Sequence, residues 1–190
     1  MLQLPRVIRT AVLVPLATAA LVLAGAAPAH ADRTIYPPVS GDVLAWQTNE
    51  GSWLGGPKCV QVDKGRLDDF APVDQLSCAY GNNQRWRMGQ ATDDPAVFWL
   101  QNVRTGKCLD DYAYGTNQGN PIIQYTCLVG TNQQWRMLWD YYNGVAEFQN
   151  VNSGLCLSVD GINTDNYRRL VQNPCYSFVN ERFQPVLPPR

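Results

Sequence analysis

Histidine is almost absent from this chain. His30 is the single histidine among 190 residues, and it lies in a small-residue motif typical of a signal-peptide cleavage site. The exported chain is therefore expected to contain none. This excludes a Ser-His-Asp or Cys-His nucleophile, a His-ligated zinc and a histidine general base. We expect no enzyme, no metal site and no cofactor.

An excess of positive charge is also missing. The chain has 15 Lys and Arg against 16 Asp and Glu, and removal of Arg6 and Arg9 with the signal changes the net charge from −1 to −3. Proteins that bind nucleic acid neutralise its phosphates with clustered basic residues. Anionic lipid likewise attracts polybasic clusters. The sequence predicts neither nucleic-acid binding nor membrane insertion.

A long apolar run occurs at the amino terminus, over Ala11–Ala27. It follows two arginines, contains Pro15 and ends near the cleavage motif at Ala31, which favours a secretory signal peptide over a membrane anchor. Loss of 31 of the 190 residues leaves 159, enough for one domain with a hydrophobic core. We predict a secreted, extracellular protein with a signal peptide over 1–31, an N-terminal extension over 32–43 and one domain over 44–190.

Helical periodicity is absent from the mature chain. No stretch sustains apolar residues at a 3.6-residue period long enough for a substantial helix. Short runs rich in β-branched and aromatic residues, such as Val97–Leu100 and Gly144–Gln149, alternate with turn clusters such as Gly81–Asn83 and Gly130–Asn132. This alternation predicts an all-β fold.

A threefold internal repeat organises the mature chain. The six cysteines form three pairs with a spacing of 19 residues, and successive pairs begin 49 and 48 residues apart. A large aromatic residue stands eight positions after the second cysteine of each pair. Such a fixed period indicates one supersecondary unit used three times. The pairs are Cys59 and Cys78, Cys108 and Cys127, and Cys156 and Cys175, and the aromatic residues are Trp86, Trp135 and Phe183.

The repeat also favours one disulfide pairing and one architecture. The three cysteine pairs occupy equivalent places, so the simplest assignment is one disulfide within each unit. About twelve short strands in three equal units suit a closed barrel with hairpins capping one end, because closure removes exposed sheet edges.

Two Gln-x-Trp motifs, at Gln84–Trp86 and Gln133–Trp135, lie in phase with the cysteine pairs, and Glu181–Phe183 is a degenerate third copy. Together with the Asn102–Asp111 segment (NVRTGKCLDD), they resemble the ricin B-chain type β-trefoil lectins over roughly Leu44 to Val186. The resemblance implies a β-trefoil that binds carbohydrate, usually galactose-type glycans or polysaccharides. Core positions near the pseudo-threefold axis are implied for Trp86, Trp135 and Phe183, and packing roles are expected for Trp46, Trp53, Trp99 and Trp139.

The middle unit, Gly106 to Trp135, matches the family's sugar-binding pattern residue by residue. The resemblance implies a carboxylate two residues after the first cysteine, an aromatic two before the second, and an asparagine before Gln-x-Trp. A pyranose offers a CH-rich face for an aromatic ring and hydroxyl groups for a carboxylate. The predicted sugar site comprises Asp110, Tyr125, Asn132 and Gln133.

The outer units have lost most of these groups. At the carboxylate and aromatic positions, the first unit has Gln61 and Leu76 and the third has Ser158 and Asn173. We therefore predict one working site and two units kept for the fold. Asp111, next to Asp110, is expected to be a turn or rim residue.

Two alternatives remain beside the lectin hypothesis. A non-catalytic interaction or cell-surface delivery subunit of a toxin or secreted enzyme complex could keep the fold while losing sugar sites. A glycosidase would need two cooperating carboxylates. The adjacent pairs Asp68-Asp69, Asp93-Asp94 and Asp110-Asp111 lie in turns or point to opposite faces of a strand, which argues against that chemistry.

Overall fold

Short strands separated by tight turns account for almost all of the regular structure. The computed structural model describes residues 32–33, 37–48, 56–162 and 164–189. Within these ranges there are thirteen strands, five short 3-10 turns and no α-helix. The strands are β1 (Asp32–Arg33), β2 (Val43–Thr48), β3 (Lys58–Val62), β4 (Val73–Ser77), β5 (Trp86–Gln90), β6 (Val97–Asn102), β7 (Cys108–Asp111), β8 (Ile122–Tyr125), β9 (Trp135–Asp140), β10 (Val145–Asn150), β11 (Cys156–Val159), β12 (Arg168–Asn173) and β13 (Phe183–Leu187). The 3-10 turns are Asp63–Gly65, Asn82–Gln84, Tyr112–Tyr114, Thr131–Gln133 and Val179–Glu181.

Some of the sequence-based expectations concern other parts of the chain. The predicted signal peptide over residues 1–31, with His30, lies outside the described residues, as does Trp53. In the part that the structure describes, no helix is long and apolar enough to span a membrane.

Twelve of the strands fall into three sets of four, β2–β5, β6–β9 and β10–β13. The first and fourth strands of each set close a six-stranded antiparallel barrel in the order β2, β5, β6, β9, β10, β13 and back to β2. The second and third strands form hairpins β3–β4, β7–β8 and β11–β12. These hairpins meet one another through β4–β12 pairing and through the bridges Pro72–Ile123 and Pro121–Val171. The expected β-trefoil is confirmed.

The aromatic residues of the repeat fill the barrel. Trp86, Trp135 and Phe183 are 1%, 0% and 0% exposed and belong to one hydrophobic core. The indole N–H of Trp86 donates to the carbonyl of Val60 at 3.0 Å, and that of Trp135 donates to the carbonyl of Leu109 at 3.2 Å. In the first two units, the buried indole thus joins a barrel strand to the hairpin of its own unit.

The disulfides lie within the units, as the repeat predicted. Cys59–Cys78, Cys108–Cys127 and Cys156–Cys175 each join residues 19 apart. Each bond ties the start of a cap hairpin to the segment just after it. On the chain-entropy model, closing a loop of this length stabilises the fold by about 3 kcal/mol.

Candidate functional site

Asp110 is placed by strand β7 at the base of the middle hairpin, where it pairs across the hairpin with Ile123. The residue is only 3% exposed. The 3-10 turn Thr131–Gln133 turns two carboxamides toward it. The Nε2 group of Gln133 donates to Asp110 Oδ2 at 2.7 Å, and the Nδ2 group of Asn132 donates to the same oxygen at 3.0 Å. Three of the four residues of the predicted site are therefore hydrogen-bonded together.

Gln133 uses all of its hydrogen-bonding capacity inside the protein. Its Nε2 group donates to Asp110 and to the carbonyl of Thr126, and its Oε1 accepts from the backbone N–H groups of Leu128 and Val129. A glutamine side chain has two donor hydrogens and two acceptor lone pairs. In this structure Gln133 therefore positions Asp110 from behind and fixes the turn that follows Cys127.

Two side-chain oxygens of the site, Asp110 Oδ1 and Asn132 Oδ1, are available as hydrogen-bond acceptors. Asp110 accepts its two hydrogen bonds on Oδ2, and its Oδ1 accepts none from the residues that the structure describes. Asn132 spends its Nδ2 hydrogens on Asp110 and on the carbonyl of Asp111, while its Oδ1 has no donor among the described residues. The pair thus presents two oxygen acceptors with fixed orientation.

Burial changes the acidity of the Asp110 carboxyl. Removal from water raises its pKa to about 6, although the hydrogen bonds from Gln133 and Asn132 act in the opposite direction, and the charge of Asp69 adds to the rise. The carboxyl is therefore mainly ionised at neutral pH and titrates within the mildly acidic range.

A pocket of about 330 Å³ opens beside Asp110 and Asn132. This volume falls at the lower end of small-ligand pockets, roughly 300–1,000 Å³. Tyr125 forms part of its wall and is half-buried. The pocket therefore combines a carboxylate, a carboxamide oxygen and aromatic surface. Its other lining residues are Phe70, Tyr112, Ala113, Tyr114, Ile123 and Leu128.

Three aromatic residues of this pocket were not predicted from the sequence. Tyr112 and Tyr114 lie in the 3-10 turn after β7 and are 43% and 53% exposed. Their position directly after Asp111 in the sequence could have indicated that these two tyrosines lie close to the site. Phe70 belongs to the first unit, and its ring centroid lies 5.0 Å from that of Tyr125. Nothing in the middle unit points to Phe70, because the contact depends on how neighbouring hairpins meet.

Asp111 directly precedes the 3-10 turn Tyr112–Tyr114, as a turn residue would, but the expected rim position was wrong. It is fully buried at the end of β7, and its Oδ1 accepts a 2.6 Å hydrogen bond from Nδ2 of Asn120. Burial raises the pKa of Asp111 to about 6. Asp110 and Asp111 thus bond to different elements. In the part of the chain that the structure describes, no cluster of three or more His, Cys, Asp or Glu side chains could hold a metal ion.

The outer units reproduce the framework of the site with different groups. In the first unit, Asn83 donates to Gln61 at 2.9 Å, and Gln61 in turn donates to Asp74 at 2.9 Å. In the third unit, Asn180 donates to Ser158 Oγ at 2.8 Å. The asparagine persists in all three units, whereas a carboxylate at the position of Asp110 occurs in the middle unit alone.

The fold and the motifs match known proteins. The family model for the ricin-type beta-trefoil lectin domain matches residues 52–182. No match was found among curated protein sequences. Among solved structures, the designed threefold-symmetric protein ThreeFoil is 28% identical with a TM-score of 0.68, and the match covers 75% of this chain and 97% of ThreeFoil.

Two natural proteins share the fold at lower identity. An exo-beta-1,3-galactanase from Clostridium thermocellum is 22% identical with a TM-score of 0.70, covering 79% of this chain and 31% of the enzyme. The Macrolepiota procera ricin B-like lectin, solved in complex with lactose, is 12% identical with a TM-score of 0.65, covering 80% of this chain and 100% of the lectin. Since the family model spans most of the folded region, the chain belongs to the ricin-type β-trefoil lectin domain family.

Proposed function

We propose that this protein is a secreted lectin with one working sugar site, in the middle unit, and that the site takes galactose-type glycans. The observation that carries the proposal is the Asp110 carboxylate. Its Oδ2 is fixed by two carboxamides, while its Oδ1 is left open beside an aromatic pocket. The lactose complex of a structurally similar lectin supports the choice of sugar class.

The geometry suggests how a sugar would be held. Hydroxyl groups of the ring would donate to Asp110 Oδ1 and to Asn132 Oδ1, because both oxygens lack a donor among the described residues. An ionised acceptor makes these hydrogen bonds stronger than neutral ones. The apolar face of the ring would lie on Tyr125, which lines the same pocket. Gln133 would act by holding Asp110 in place.

Export is proposed on two grounds. The amino-terminal sequence has the pattern of a signal peptide, and all six cysteines are engaged in disulfides. Disulfides of this kind form and persist in oxidising compartments.

Binding through this single shallow site would be weak. A millimolar dissociation constant corresponds to about −4 kcal/mol. Effective attachment would then need repeated ligands or several copies of the protein, because avidity multiplies weak sites. The partner would be a glycan or polysaccharide that carries many copies of the same sugar.

Affinity chromatography tests the proposal directly. The mature protein is expected to be retarded on lactose–agarose and released by free galactose or lactose, because the dense resin compensates for a weak site. Free mannose at equal concentration should not release it. A protein that passes through the resin unretarded and binds no galactose-containing glycan on an array would contradict the proposed function.

Replacement of Gln133 tests whether this residue positions Asp110 in addition to stabilising the fold. The variant Gln133→Ala removes four hydrogen bonds and should lower the free energy of unfolding by about 2 kcal/mol, measured by urea denaturation. It should also weaken retention on lactose–agarose, because Asp110 loses its shortest hydrogen bond.

Gln84 supplies the matched control for this experiment. It occupies the same place in the first unit and bonds to the backbone of Ser77, Ala79 and Tyr80. The variant Gln84→Ala should lose comparable stability but keep its retention. Equal retention of both variants would show that Gln133 has no part in the site.

A further inference from the structure

Each unit extends one turn residue onto the hairpin of the next unit. The backbone N–H groups of Phe70, Gly119 and Tyr167 donate to the carbonyls of Gln124, Gln172 and Gln75, at 2.9, 2.8 and 2.7 Å. The three residues are related by the repeat. Because of this exchange, the side chain at position 70 belongs to the first unit in sequence but lies over the sugar pocket of the middle unit.

The backbone at these positions favours glycine. Phe70, Gly119 and Tyr167 have φ values of +67°, +80° and +64°, in the left-handed region where a side chain is unfavourable. Gly119 shows that the turn forms without one. Phe70 is 56% exposed, and its ring contacts are with Tyr112 and Tyr125, which line the same pocket. A strained backbone that carries an exposed aromatic ring at a pocket points to a role in ligand contact.

Tyr114 is a second exposed aromatic residue with a positive φ in this pocket. Its φ is +54°, the residue is 53% exposed, and it lines the same pocket. The equivalent residue of the first unit is Gly65, with a φ of +65°. Two pocket aromatics therefore occupy backbone positions at which another unit of the same chain has glycine.

Phe70 also connects the sugar pocket to a second one. An adjacent pocket of about 280 Å³ shares Phe70, Tyr112 and Ile123 with the first. The Phe70 ring lies 5.0 Å from that of Tyr125 and 6.1 Å from that of Tyr112. The second pocket has a mainly apolar surface, and its other lining residues are Pro72, Pro121, Ile122, Arg169 and Leu170. Apolar ring surfaces of this kind match the CH-rich faces of successive sugar units.

We infer that Phe70 of the first unit is a sugar-contacting residue of the middle unit's site, and that the ligand is an oligosaccharide of at least two sugar units. The terminal sugar lies at Asp110 and Tyr125. The next sugar lies across Phe70 in the second pocket. This inference rests on the proposed function and adds the length of the ligand and the contribution of a second unit.

Titration calorimetry with galactose, lactose, β-1,3-galactobiose and α-1,4-galactobiose tests the inference. The wild-type protein should bind at least one disaccharide about tenfold more tightly than galactose, the gain expected from one added aromatic contact. The variant Phe70→Gly should lose most of that gain, while its melting temperature stays close to that of the wild type, because relief of the backbone strain offsets the lost contacts with Tyr112 and Tyr125. The variant Phe70→Tyr keeps an aromatic ring and should bind as wild type.

Tyr167→Gly is the matched control. It relieves the same strain at the equivalent turn of the third unit, which bonds to the hairpin of the first unit, where Gln61 replaces Asp110. It should bind every sugar as wild type. Equal affinity of the wild type for galactose and all three disaccharides, or full disaccharide binding by Phe70→Gly, would overturn the inference. Absence of any sugar binding by the wild type would instead overturn the proposed function on which it rests.

Discussion

Asp110→Asn is expected to weaken sugar binding severely while it preserves the fold. Asparagine has nearly the same shape, and its single oxygen can still accept the bonds from Gln133 and Asn132 now made to Oδ2. Its amide group then replaces the open Oδ1 and presents a donor where the sugar needs an ionised acceptor. Losing a hydrogen bond to a charged group costs about 1.5–3 kcal/mol. The dissociation constant should therefore rise roughly ten- to hundredfold, measured by titration calorimetry.

The same substitution should stabilise the protein at neutral pH. Burial raises the pKa of Asp110 from 3.8 to about 6, so the native state favours the protonated form. The associated stability is fully present below pH 4 and is lost as the pH rises through 6. Asparagine is neutral at every pH and avoids this loss. The free energy of unfolding at pH 7 should rise on the order of 1–3 kcal/mol, measured by guanidinium denaturation.

The pH dependence of binding gives an independent check. Wild-type affinity should be constant above pH 7 and should fall about tenfold per pH unit well below pH 6, because the bound sugar selects the ionised carboxylate. The Asp110→Asn variant should bind weakly at every pH. The control is Ser158→Ala, at the equivalent position of the third unit, which should follow the wild-type profile. Tighter wild-type binding on acidification would show that the protonated form is the one that holds the sugar.

The scaffold could be predicted from the sequence because the repeat specifies it three times. The cysteine spacing and the phase of Trp86, Trp135 and Phe183 define equivalent units, and equivalence then determines both the disulfides and the barrel. No single unit carries enough pattern to give this result. The degenerate third copy at Glu181–Phe183 still folds like the others, since the N–H groups of Tyr176 and Phe178 bond to the carboxylate of Glu181.

The predicted site was incomplete for a physical reason. Motif positions report contacts within one unit, and Asp110, Asn132 and Gln133 lie together through such contacts. Phe70 reaches the pocket through a contact between units, which depends on the packing of the hairpins. The rim position expected for Asp111 was wrong for a different reason, because the turn that covers it belongs to the same unit but lies outside the motif. Its neighbour in sequence faces the pocket, but whether the other face of the strand is covered depends on the Asn120 turn.

Trp135 joins the hydrophobic core to the strand that carries Asp110. The variant Trp135→Ala is expected to lower the free energy of unfolding by about 3–5 kcal/mol, as large-to-small substitutions of buried aromatics do. Trp135 is fully buried, and its indole N–H donates to the carbonyl of Leu109, the residue before Asp110. Loss of the indole therefore leaves a cavity and frees the strand segment that carries the carboxylate. Guanidinium denaturation measures the stability, and lactose titration of the folded variant measures the site.

The variant Trp86→Ala separates the loss of stability from the effect on the sugar site. Trp86 occupies the same place in the first unit and donates to the carbonyl of Val60, next to Gln61. Its replacement should cost about the same stability, yet the folded variant should bind lactose as wild type. A third variant, Trp135→Phe, keeps most of the ring volume. Phe183 shows that the third unit accepts phenylalanine at the equivalent position. It leaves the buried Leu109 carbonyl without its donor and should lose about 1–3 kcal/mol. If Trp135→Ala and Trp86→Ala weaken lactose binding equally, the barrel stabilises all three units together and Trp135 has no special connection to Asp110. If only the Trp135 variants weaken it, the indole bond positions the strand that carries the carboxylate.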